Sequence, residues 1–133
     1  MDRDTYFGWL RLKGEEHTNT VREASNYAAS LLDLERFEEA RSLLCKEIPV
    51  AHRVLGEGHQ VTLKMRKMYA MALYDNDAST LDDLREAVTT LEELAPTARR
   101  VLGGAHPITE SVEVELRKAQ AALRAREAPP SSA

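Results

Sequence analysis

The chain is short of cysteine, with one thiol, Cys45, in 133 residues. A lone thiol cannot close an internal disulfide, and a reducing, cytoplasmic setting is the economical expectation. No apolar run approaches the ~18 residues that a membrane-spanning helix needs. The opening Met1-Asp2-Arg3-Asp4 is acidic and lacks an apolar segment, so no signal peptide is expected. Positive charge is not in excess either. A net charge of −4 argues against wholesale wrapping of nucleic acid or of an anionic membrane, since both call for a basic footprint. A nucleophile elbow, a Gly-rich phosphate loop and an HExxH motif are all missing, so neither catalysis nor a cofactor is expected.

What is present, 43% apolar and 30% charged residues, is ordinary for one soluble helical domain. The domain is expected over residues 1–127, with a frayed tail at 128–133. Aromatics make up only 5% of the chain, yet Tyr6, Phe7 and Trp9 crowd its first helix, expected over residues 2–13. Gly14 suits that helix's end because it tolerates positive φ. A helix this short is marginal alone, so its aromatics must pack on the next element.

From Thr18 the spacing is helical, with Val21, Ala24, Tyr27, Ala28 and Leu31 on one face. Leu34-Glu35-Arg36 breaks the pattern, and a second run carries Phe37, Ala40, Leu43, Leu44 and Ile48. So short a link makes the two helices antiparallel neighbours. Pro49 lacks an amide and clashes with the preceding turn, so a kink or break is expected there and at Pro96, its counterpart in the next unit. A last helix is expected from about Pro107, which suits a first turn, to Glu127.

The chain repeats itself. Val54-Leu55-Gly56-Glu57-Gly58-His59 returns as Val101-Leu102-Gly103-Gly104-Ala105-His106, and a degraded first copy ends in Gly14-Glu15-Glu16-His17. The histidines fall 42 and 47 residues apart, a period that marks stacked helical units. Thr62, Tyr69, Ala70 and Leu73 follow Thr20, Tyr27, Ala28 and Leu31 by 42 residues, whereas Ala87 follows Ala40 by 47. The difference is an insertion between Leu73 and Ala87. It is rich in turn-forming residues and is expected to lengthen one connection while leaving the stack intact.

The period, the Val-Leu-Gly-x-x-His turn, the Thr three residues after each His, and the small residues Ala28, Ala40, Ala70 and Ala87 at helix crossings resemble the tetratricopeptide repeats of kinesin light chains. The resemblance covers about residues 5–125. Two positions differ from its pattern: Arg66 stands where an apolar residue is usual, and Glu47 where Ala is usual. It implies an all-α, right-handed α-solenoid of antiparallel helix pairs, with about two full repeats plus flanking helices. It further implies a concave groove lined by the first helix of each pair, made here of Arg22, Ser25, Asn26 and Ala29, then Lys64, Lys67, Met71 and Tyr74, then Ser111, Val114 and Lys118. Asn26 matches one of the asparagines by which that family holds peptide backbone, and Met68 replaces it in the next unit. The four cations would steer an acidic protein or peptide segment into the groove, with Met71 and Tyr74 adding apolar contact. A rival reading is self-association through the Tyr6, Phe7 and Trp9 end, which lacks an evident polar cap.

Three further constellations invite chemistry. Metal ligands must converge within about 2.0–2.1 Å of one ion. Equivalent positions in stacked helices lie roughly 8–10 Å apart, so His17, His59 and His106 are read as turn-stabilising residues and not as a metal centre. Asp75, Asp77, Ser79, Asp83 and Glu86 fall in the order of a calcium-binding loop. Thr80 replaces its obligatory Gly, however, so a turn capped by Ser79 or Thr80 is preferred to a calcium-responsive module at 75–86. Cys45 and His52 lie near one helical face, but Pro49 spoils their alignment. Cys45 is read as a small buried hydrophobe.

Overall fold

A computed structural model describes residues 2–128; of the tail expected at 128–133, residues 129–133 lie outside the described residues. Helices α1 (Asp2–Lys13), α2 (Thr18–Asp33), α3 (Phe37–Leu55), α4 (Gln60–Tyr74), α5 (Leu81–Leu102) and α6 (Pro107–Glu127) make an all-α fold. No helix among the described residues is long and apolar enough to cross a membrane.

Each helix packs on the next in the chain, and α4 additionally approaches α2 and α6. The backbones of α3 and α5 make no such approach. Helices α2, α4 and α6 thus form a close-set row, and α3 and α5 stand apart from one another on the other side. The sequence dictates this centre. On α4 buried residues (Thr62, Leu63, Met65, Met68, Ala70, Ala72 and Leu73) cover more than half of the helix and leave open the stripe of Lys64, Lys67 and Met71, so it must sit among several neighbours. The four expected crossing alanines, Ala28, Ala40, Ala70 and Ala87, are all fully buried, as close backbone approach requires.

The repeated turn has one construction in all three places. A glycine at positive φ (Gly14 at 87°, Gly56 at 97°, Gly103 at 92°) ends the preceding helix. The histidine then caps the next helix: Nδ1 of His17, His59 and His106 accepts the backbone N–H two residues on, each at 3.1 Å. The helices therefore begin immediately after each His. One turn later a fully buried Thr hydroxyl ties the joint to the helix before it. Thr62 donates to the Ala51 carbonyl at 3.4 Å, and Thr109 to the Ala98 carbonyl at 3.2 Å. Thr20, the first of the series, is equally buried but its hydroxyl has no partner among the described residues.

The five-residue insertion is shared between turn and helix. Helix α5 has 22 residues against 19 in α3, and the link at 75–80 is longer than that at 34–36. Thr80 caps α5 by accepting the Asp83 N–H, and the Asp83 carboxylate accepts the Thr80 N–H in return. The buried Ser79 hydroxyl donates to the Leu73 carbonyl, which holds the turn against the end of α4.

Of the kink or break expected at Pro49 and Pro96, no break occurs, because α3 and α5 run through both residues. Both prolines lie on the exposed side of their helices, as do Cys45 and Glu92, whose carbonyls lose the amide four residues on. Water can satisfy those carbonyls, while buried Leu44, Glu47, Val50 and Ala51 hold α3 on either side of Pro49. Cys45 is likewise exposed and not buried as expected.

The aromatics of α1 do pack against α2 and its cap. The Tyr6 and Phe7 rings lie 5.8 and 6.1 Å from Tyr27 on α2, and Trp9 stacks on His17 at 5.6 Å. Tyr6 is buried, and its hydroxyl donates to the carboxylate of Glu47 on α3. Phe7 and Leu12 remain exposed, among the charged residues Arg3, Asp4 and Arg11 of the outer α1 surface.

Candidate functional site: a basic groove across three helices

The turn geometry puts the fifth residue of α2, α4 and α6 in common register: Arg22, Lys64 and Ser111. Because these three helices form the close-set row, the three positions face one cavity of about 510 Å³. Glu23 beside Arg22, and Ser25, Asn26 and Lys67 one turn further along, complete its walls, and the first residues of α4 and α6 (Gln60, Val61, Pro107 and Ile108) form its rim.

Lys67 is the most constrained cation in the cavity. It is half-buried, and its Nζ donates to Ser111 Oγ at 2.8 Å, joining α4 to α6. Burial lowers the pKa of this ammonium and nearby Lys64 lowers it further, whereas the Glu115 carboxylate opposes both. Arg22 and Lys64 are exposed and make no ion pair among the described residues. Asn26 Nδ2 donates to Glu23 at 3.4 Å, so the carboxamide is oriented from within its own helix. Ser25 is nearly buried at the base of the helix row.

Other expected groove residues lie elsewhere. Ala29 and Met71 are half-buried and do not line this cavity, and neither does the exposed Val114. The Tyr74 hydroxyl is committed to Glu115 on α6. Burial and that carboxylate push it well above the usual phenol range. Lys118 pairs with the same Glu115 at 3.8 Å and is therefore not a free cation. Asp75, close by, is raised by burial and by Glu115, with Lys118 opposing. The expected groove is thus divided into an open basic end and an end closed by an internal polar cluster. Glu23 and the rim residues of α4 and α6 escaped the sequence reading. The signal for them was available in the histidines: once each His is a cap, the residue after it lies on a helix's first turn.

Two of the four candidate carboxylates of the 75–86 stretch, Asp83 and Glu86, are spent on other partners. Asp83 holds the Thr80 amide and pairs with Arg41 at 3.4 Å, while Glu86 accepts the Tyr69 hydroxyl at 2.6 Å. Among the described residues no cluster of three His, Cys, Asp or Glu side chains is placed to hold a metal ion. The chain matches no protein-family model and no curated protein.

Proposed function

We propose that this chain is a non-catalytic protein- or peptide-binding module whose basic groove takes acidic segments. The observation behind this reading is the convergence of Arg22, Lys64 and Lys67 on one cavity in a chain of net charge −4. Cations gathered against the overall charge steer anionic partners to that place. The cavity runs across the row of α2, α4 and α6, and an extended or helical peptide can lie along such a row. Arg22 and Lys64 pair carboxylates. Lys67, held by Ser111, offers a positioned donor, and Asn26 offers a carboxamide to the peptide backbone.

Helix pairing in chain order, the close row of α2, α4 and α6, and the thrice-repeated turn support an α-solenoid of tetratricopeptide type. In such an array the row of close-set helices is the concave, partner-binding side. A nucleic acid or a membrane is a poor partner for so small a basic patch on an acidic chain. The test is charge reversal. A fluorescent glutamate-rich peptide should bind the native chain with a salt-sensitive affinity and bind Lys64→Glu/Lys67→Glu at least tenfold more weakly. Equal binding by both proteins overturns the assignment.

A further inference from the structure

The side of the molecule opposite the basic groove carries a cleft between α3 and α4 that reaches α5 at Thr90. Two cavities of about 270 and 460 Å³ share Ile48, Pro49 and Arg66 and so form one continuous cleft. Tyr69 and Arg66 of α4 line its floor, and the gap exists because α3 and α5 make no close backbone approach. The Arg41–Asp83 ion pair bridges α3 and α5.

One side chain and one backbone carbonyl in this mostly apolar cleft are left to water. Arg66 is half-buried and makes no hydrogen bond or ion pair among the described residues, whereas Arg53, farther along the cleft, is paired with Glu16 at 3.2 Å. The Cys45 carbonyl has no helical donor, because Pro49 stands four residues on; both residues line the cleft. A guanidinium calls for a carboxylate, and a carbonyl served only by water can accept a ligand's N–H in its place. The apolar wall of Ile48, Pro49 and the Tyr69 ring calls for an apolar side chain. A fatty acid supplies the first and third but has no N–H. A peptide supplies all three.

We infer that this cleft is a second peptide-docking site, for a segment that places an acidic side chain beside an apolar one. The acidic side chain pairs with Arg66, and a peptide N–H donates to the Cys45 carbonyl. The site is independent of the basic groove: Arg66 and Tyr69 project from the side of α4 opposite Lys64 and Lys67.

Cys45 makes the test direct, since it is the chain's one thiol and lies in the cleft. A displayed library of random twelve-residue peptides is selected on the Lys64→Glu/Lys67→Glu protein, which removes the basic groove from the contest. Enriched peptides should carry Asp or Glu next to an apolar residue and slow the reaction of Cys45 with a disulfide reagent. They should also bind at least tenfold more weakly to Arg66→Glu. Pro49→Ala, which returns an amide to the Cys45 carbonyl and favours the helix, should weaken them severalfold. Overturning results are no enrichment, enriched peptides that leave Cys45 reactivity and Arg66→Glu affinity unchanged, or protection of Cys45 by decanoate and by no peptide.

Discussion

Replacing Tyr6 by Phe should unsettle a group on a different helix. The Tyr6 hydroxyl is the one hydrogen-bond partner of Glu47 among the described residues, and the second carboxylate oxygen of Glu47 already has none. Tyr6 is 1% and Glu47 0% exposed, so water does not readily substitute. A hydrogen bond to a charged group contributes about 1.5–3 kcal/mol, and Tyr6→Phe should cost about that much. Glu47→Leu strands the hydroxyl but also removes a buried carboxyl, so its net cost should be smaller, about 1 kcal/mol. The double variant leaves neither group stranded and should fall within about 1 kcal/mol of the native chain, a coupling of roughly 2 kcal/mol. Urea unfolding of the four proteins measures it, with equal m-values required. If the two single losses add to within about 0.5 kcal/mol, the pair is not coupled and the reasoning fails. The pH dependence is a second check. Burial raises the Glu47 pKa above its ordinary 4.5, with the Tyr6 hydrogen bond opposing. A raised carboxyl contributes stability that is present below its unfolded value and is lost as pH rises through the folded one. Glu47→Gln should therefore gain on the native chain from acid toward neutral pH.

The histidine caps predict that His59→Ala loses about 1 kcal/mol while His59→Asn, which also caps, loses less, as read by thermal unfolding. The buried threonines predict a contrast: Thr109→Val forfeits a bond and should cost about 1 kcal/mol, whereas Thr20→Val removes an unpartnered hydroxyl and should be neutral or stabilising. The Asp83 pKa is lowered first by the Thr80 amide, then by the Thr80 hydroxyl and Arg41, with burial opposing. Its stabilisation is present above the ordinary 3.8 and lost as pH falls through the lowered value, so Asp83→Asn should flatten the acid limb of a stability–pH curve.

Local chemistry was readable from the chain. Gly14 ended α1, Leu34-Glu35-Arg36 separated α2 from α3, and Pro107 opened α6, because each acts through its own backbone conformation. What escaped depended on distant partners or on exposure. Pro49 and Pro96 looked like breaks until their exposed placement showed why the helices continue. Cys45 looked buried because a free thiol usually is. Glu47 looked like a misplaced charge, since Tyr6 lies 41 residues away. The basic end of the groove was legible from helical periodicity. Tyr74 and Lys118 fell on the same stripe, but no periodicity reveals that Glu115 engages both.

The unequal embedding of α1 and α4 has a consequence for how the molecule comes apart. Helix α1 approaches α2 alone, whereas α4 is flanked by α2, α3, α5 and α6. Opening the molecule at α1 disturbs the packing on α2 and the one Tyr6–Glu47 bond to α3; opening it at α4 disturbs four packed neighbours. Amide exchange should therefore be graded along the chain, with protection lost first in α1 at low free energy and last in α4, near that of global unfolding. Loss of the end helix would uncover Tyr27 and Glu47 while leaving the basic groove assembled.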